Sequence, residues 1–203
     1  MSTTLPIDAR TSPRSLLLHP PMSDRELEEF CRKNEIARIE RTREGVILMN
    51  PPAGSYSSDG NSEVGEQLRR WWKTHRRGRV YDSSSGFYLP DGSLLSPDAA
   101  YLSDETLRKL TREDRRGFPR VCPDFVIELL SETDRLSEAN QKMERWIENG
   151  AQLAWLIDPY RRLVQIYRPA SVASLVSAGQ IQGEGSVEGF TLELAEVWDC
   201  YQL

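Results

Sequence analysis

The chain has 203 residues, 28% of them charged and 38% apolar, with a formal net charge of -5. That length fits one domain with a sizeable core, and the acid excess means that any nucleic-acid affinity has to come from a local basic patch. Cys31, Cys122 and Cys200 lie far apart without a C-x-x-C, which suits a reducing compartment. No apolar run approaches the roughly 20 residues of a membrane span, so a cytoplasmic location is expected.

Residues 1–20 are rich in Ser, Thr and Pro and lack periodicity, so they are expected to form a disordered lead-in. A single domain is expected over 21–203. Ser23 followed by Glu26 makes a capping box, and Leu27, Phe30 and Cys31 give the helix behind it an apolar stripe. Residues 36–41 and 46–49 predict two strands turning at Arg43-Glu44-Gly45. Pro51-Pro52-Ala53-Gly54 breaks the chain, and a helix is predicted over about 58–75. Val64, Leu68, Trp71 and Trp72 mark its buried face.

Strands are predicted at 80–82, 86–89 and 97–102, with a turn at Pro90-Asp91-Gly92-Ser93. Short helices are expected over 103–120. A buried strand over 125–130 follows, then a helix over about 134–149 ended by Gly150. A hairpin joins 154–157 to 163–167. The tail, 172–203, reads as short strands with a final helical turn.

Ser96-Pro97-Asp98, Pro123-Asp124-Phe125-Val126-Ile127-Glu128 and Lys142 form the constellation that carries chemistry. Asp124 and Glu128 share a strand face but stand about 13 Å apart along it, too far to ligate one ion together. Asp98, opening the preceding long strand, is the better partner for Glu128 if those strands pair. Two carboxylates with free water positions suit Mg²⁺ or Mn²⁺. Only His19 and His75 offer imidazole, which argues against a histidine-rich zinc site. Lys142 shares its helix azimuth with Ala139 and Trp146, at about 100° per residue, and so leans toward the sheet. No phosphate-cradling G-x-x-x-x-G-K or G-x-G-x-x-G occurs.

These residues resemble the PD-(D/E)XK, or restriction-endonuclease-like, superfamily. Pro97-Asp98 stands for the PD and Glu128 for the second acid. The lysine usual two residues beyond is replaced by Leu130, and Lys142 matches members that carry it on the following helix. Over about residues 21–200 the chain is similar to the Uma-two family. The marks are Pro21-Met22-Ser23-Asp24, Ile39-Glu40-Arg41-Thr42, Met49-Asn50-Pro51-Pro52, Asp82-Ser83-Ser84-Ser85-Gly86-Phe87, Ser96-Pro97-Asp98-Ala99-Ala100 and Pro123 to Leu129.

The resemblance implies an α/β, restriction-endonuclease-like mixed β-sheet core flanked by helices, with additional β-hairpins. It implies a Mg²⁺- or Mn²⁺-dependent endonuclease acting on DNA, with Asp98, Glu128 and Lys142 catalytic. Asp98, Glu128 and, by likeness to the family's Asn-rich helix start, Glu63 would hold the metal. The alternative is a catalytically inactive nuclease-fold module that binds DNA or protein.

Asp124 and Asp82 are candidates for the rim of the site, although Asp124 also suits a structural role. Arg69, Lys73, Arg76 and Arg77 form a basic run suited to phosphate contacts. A homodimer would be convenient for cutting both strands of a duplex, and superfamily members often dimerise. On this reading Lys142→Ala and Asp98→Asn each abolish cleavage and leave folding intact.

Overall fold

Helix α1 (Asp24–Lys33) begins where the Ser-x-x-Glu box predicts. The Ser23 hydroxyl accepts the Glu26 N–H at 3.4 Å, and the Glu26 carboxylate accepts the Ser23 N–H at 2.8 Å. Two donors with no partner inside the helix are thereby satisfied.

The structure is a computed structural model that describes residues 14–16, 18, 21–35 and 37–202. In chain order, β1 (Arg14–Leu16), α1, β2 (Arg38–Arg41) and β3 (Ile47–Asn50) lead into the long helix α2 (Ser55–His75). Then come β4 (Arg79–Asp82), β5 (Phe87–Tyr88), β6 (Leu94–Leu95), β7 (Ala99–Leu102) and α3 (Asp104–Arg108). Next are β8 (Phe125–Leu129), α4 (Leu136–Glu148), β9 (Leu153–Asp158) and β10 (Leu163–Tyr167). The tail holds β11 (Ser174–Val176), β12 (Gln180–Gln182), a 3₁₀ turn (Gly185–Val187), β13 (Thr191–Glu193) and α5 (Leu194–Asp199). Part of the expected lead-in is therefore ordered, because residues 14–16 add a strand to the open edge of β3. The rest of that expectation falls mostly outside the described residues. Over 111–118 the chain forms turns in place of the second short helix expected there.

Two sheets carry the fold. A five-stranded antiparallel sheet has the order β1-β3-β2-β6-β5, and a six-stranded mixed sheet the order β11-β10-β9-β8-β7-β4. In the larger sheet β8 and β9 run parallel. That pairing demands a crossover, which α4 supplies. Val64 and Leu68 of α2 pack with Val197 and Trp198 of α5 on one face of the sheet. Met143 and Trp146 of α4 pack on the other. β8 is buried at every position, as a strand covered on both faces must be.

Strand periodicity sets which side chains meet. Along β2, Ile39 joins Leu27 of α1 in a third apolar cluster, and Arg41 reaches Asp24 at 2.7 Å and the Gly92 carbonyl. With a period of two, Arg38 and Glu40 project from the opposite face, toward the larger sheet. Ser96-Pro97 links β6 of one sheet to β7 of the other and carries the chain across that junction.

Gly78, between α2 and β4, sits at φ +65°. A Cβ there would run into the Leu102 carbonyl and come within 2.5 Å of the Tyr101 hydroxyl. Gly78→Ala is therefore expected to cost at least about 2 kcal/mol, from left-handed backbone strain together with overpacking. Urea denaturation measures it directly; a cost under half of that would mean that the turn re-forms with a different backbone.

Candidate active site

Four elements converge at the sheet junction. β2 brings Arg38 and Glu40, the β6–β7 link brings Ser96 and Asp98, β8 brings Glu128, and α4 brings Lys142. Asp98, Glu128 and Glu40 are 5%, 6% and 4% exposed, so each carboxylate needs partners.

Asp98 lies one step beyond the Ala99–Ile127 pair of β7 and β8, and its N–H donates to the Ile127 carbonyl at 3.1 Å. The pairing on which the Asp98–Glu128 partnership depended is therefore present. Oδ2 of Asp98 accepts the Leu129 N–H at 2.8 Å. Oδ1 accepts Arg38 Nη1 at 2.7 Å and Asn61 Nδ2 of α2 at 3.3 Å.

Lys142 closes the other half of the site. Its ammonium lies 2.8 Å from Glu128 Oε1 and 2.9 Å from Glu40 Oε1, and it donates to the Ser96 carbonyl at 2.9 Å. All three of its donors are thus used. Trp146, one turn along α4, donates its indole N–H to Glu128 Oε1 at 2.9 Å. The Ser96 N–H donates to Glu40 Oε1 at 2.8 Å.

Burial pushes the Glu128 carboxyl up to about 7, against the pull of the Lys142 ammonium and with a further push from Asp98. Burial works against the Lys142 charge as well. The carboxylates of Glu128 and Glu40 outweigh it and hold the lysine above its ordinary value. Arg38 is likewise held above its ordinary value, because Asp98, Glu40 and Glu128 overcome its desolvation.

Every candidate metal ligand here is an oxygen, the donor set that hard divalent cations take. The Asn61 side-chain oxygen, on the residue that donates to Asp98, is buried without a partner, an acceptor that a cation or its water shell would satisfy. Among the described residues no three His, Cys, Asp or Glu side chains are placed to hold an ion together. The acidic oxygens that converge are closed on Lys142 and Arg38 instead. The donor chemistry therefore fits Mg²⁺ or Mn²⁺, provided those cationic side chains yield.

Other predicted positions lie elsewhere. Glu63 follows Asn61 by two residues, about 200° around α2. It accepts from Gln67 Nε2 at 2.8 Å, which also reaches Glu196 of α5 at 3.2 Å. That face points away from Asp98, so the placement expected for Glu63 is corrected. Asp124 accepts from the Ser103 N–H at 2.7 Å and the Thr106 hydroxyl at 2.9 Å. It braces the start of α3 at the far end of β8. Asp82 binds the N–H and hydroxyl of Ser84 in a local turn.

A cleft of about 1780 Å³ opens over Asp98 and Arg38. Arg32, Arg112, Arg116 and Arg120 line it too, interspersed with Glu28, Glu35, Glu113, Asp114 and Asp134, so its walls are of mixed charge. Arg69, Lys73, Arg76 and Arg77 do not line it; they sit on and just beyond the C-terminal end of α2. There the guanidinium groups of Arg69 and Arg76 stack 4.8 and 5.2 Å from the Trp72 ring. Arg76 lies roughly 22 Å along the helix direction from Asn61.

Sequence reasoning missed Glu40, Arg38 and Asn61 as site residues. Alternation along β2 put Arg38 and Glu40 on one face, but a charged strand face reads as solvated until a second sheet is known to cover it.

Residues 24–195 match the Uma2 family, described as "Putative restriction endonuclease". A solved structure from Anabaena variabilis ATCC 29413, described as a putative nuclease belonging to DUF820, is 20% identical. The match covers 81% of this chain and 91% of that one, with a TM-score of 0.68. At that identity the likeness shows a shared fold. No curated protein matches the chain significantly.

Proposed function

The chain belongs to the Uma2 family, and from that premise we propose that it is a metal-dependent endonuclease that hydrolyses phosphodiester bonds in DNA. The observation that carries the reading is the Asp98–Glu128–Lys142 cluster, with Glu40 as a third acid, beside a cleft of mixed charge whose walls include several arginines. Asp98 and Glu128 would hold Mg²⁺ or Mn²⁺, with Glu40 close by. Bound there, the ion would supply Lewis-acid polarisation of the phosphate and lower the pKa of a coordinated water.

The protein's own groups do the rest. The Leu129 N–H and Asn61 fix the Asp98 carboxylate. Trp146 fixes Glu128, so the ligands are preorganised. Lys142, whose three donors are engaged by Glu40, Glu128 and the Ser96 carbonyl, would release one of them to orient the attacking water or to stabilise the charge that develops on the phosphoryl oxygens. Arg32, Arg112 and Arg116 offer phosphate contacts along the cleft. Those contacts position the backbone and carry no sequence information.

The direct test is incubation with supercoiled plasmid and Mg²⁺ or Mn²⁺ beside an EDTA control. Metal-dependent nicking is expected. No nicking together with no calorimetric Mn²⁺ binding would favour a nuclease fold that serves only as a binding module.

The Glu128 carboxyl, raised to about 7, makes metal binding pH-dependent, because a cation requires the ionised form. Apparent Mn²⁺ affinity is expected to be flat above neutrality and to fall by up to about tenfold per pH unit below it. Titration calorimetry at pH 6 and pH 8 measures the slope. Equal affinities would place Glu128 outside the metal shell. The same shift sets the sign of its stability linkage. The folded state binds that proton more tightly than the unfolded chain, so this contribution falls as pH rises from the ordinary carboxylate range toward 7.

A further inference from the structure

The site contains two cations, and they are not equivalent. Lys142 has spent all three donors on Glu40, Glu128 and the Ser96 carbonyl. It is absent from the walls of the cleft, as is Glu128. Arg38 lines the cleft beside Asp98 and keeps 32% of its side chain exposed. A guanidinium has five N–H donors in a planar fork. Among the described residues Arg38 uses only Nη1, on Asp98 Oδ1.

Its remaining donors suit bidentate capture of a phosphate. Its bond to Asp98 occupies an oxygen that a divalent cation would need. One side chain therefore has a substrate-facing edge and a ligand-blocking edge.

We propose that Arg38 is a latch: it holds Asp98 until a backbone phosphate of the nucleic acid draws the guanidinium away, so phosphate binding and cation binding are coupled through it. The latch rests on the metal-dependent nuclease reading. The coupling is reciprocal by linkage: whatever factor phosphate gives to metal affinity, metal gives to phosphate affinity. In functional terms the site would charge with metal chiefly when substrate is present.

The experiment measures Mg²⁺ affinity calorimetrically for the wild type and Arg38→Gln, each alone and with a short phosphorothioate-linked DNA duplex. Arg38→Gln alone is expected to bind Mg²⁺ at least about tenfold tighter than wild type, within the usual range of coupling factors. The duplex should tighten Mg²⁺ binding in the wild type by a similar factor and add little in the variant.

A guanidinium that merely braces Asp98 predicts the opposite sign, with weaker or unchanged binding in the variant; that result, or equal duplex effects in both proteins, overturns the latch and leaves the nuclease reading standing. No Mg²⁺ binding by either protein overturns both.

Should Arg38→Gln fail to fold, the wild type provides the second measurement. The Arg38 side-chain resonances in ¹⁵N-resolved spectra should shift as Mg²⁺ and duplex are added together. Resonances unmoved at saturation would mean that the Asp98 bond never opens.

Discussion

Replacing Lys142 by alanine is expected to lower cleavage by about three orders of magnitude, the scale for deleting a preorganised charge-stabilising donor. It is also expected to destabilise the fold. The sequence alone suggests a variant that folds normally. In the structure Lys142 bridges Glu128 and Glu40, both almost fully buried. Removing the shared cation leaves two neighbouring carboxylates without their counter-charge, and breaking a buried pair this way costs about 3–5 kcal/mol.

The sign of the pH dependence follows. Burial already raises the Glu128 carboxyl to about 7, and losing the ammonium removes an influence that lowers it. Near pH 5 the carboxyl is protonated in the folded protein with or without Lys142, so the loss is smaller there. Near pH 8 the folded variant has to bury charge or take up a proton, so the loss is larger. Chemical denaturation of both proteins at pH 5 and pH 8 reads this out. A pH-independent difference would mean that Glu128 is not the group exposed by the substitution. Undiminished nicking by a folded Lys142→Ala protein would remove Lys142 from the chemistry.

On the proposed metal-dependent reading, Asp98→Asn is expected to abolish detectable Mn²⁺ binding and to cut cleavage by roughly three orders of magnitude, because a charged ligand would be lost from a site worth several kcal/mol to the transition state. The carboxylate accepts on both oxygens, from the Leu129 N–H on one and from Arg38 and Asn61 on the other. An amide has one acceptor and one donor end. Whichever way it is turned, an NH₂ group confronts an N–H donor, and Arg38 loses its charged partner. A stability loss of about 1–3 kcal/mol accompanies the functional one. Thermal melting separates the two effects, since metal binding should be gone at temperatures where the variant is still folded. Wild-type Mn²⁺ affinity in folded Asp98→Asn would exclude Asp98 as a ligand.

Local physics made much of this protein legible. A Ser-x-x-Glu box announced α1, the break at Pro51-Pro52 preceded α2, Gly150 ended α4 at φ +116°, and the β9–β10 hairpin followed from its turn residues. Period-two alternation set Asp124 and Glu128 on one face of β8, and helix geometry aimed Lys142 and Trp146 at that face. Asp98, Glu128 and Lys142 were therefore readable as a set. The sequence determined those local elements and the faces that their side chains share.

Which faces meet was decided by the tertiary structure alone. Glu40 and Arg38 became site residues because the five-stranded sheet docks its charged β2 face against the junction at Ser96-Pro97. Nothing within a few residues of Glu40 encodes that burial. Glu63 was directed away from Asp98 by the rotation of α2, and Asp124 was taken up by the start of α3. The physical reason is one of range. Capping, turn chemistry and periodicity act over a few residues, so they are written locally. A cluster of three acids and two cations is stable only when elements distant in sequence exclude water from it and neutralise it together, and that condition is met in space.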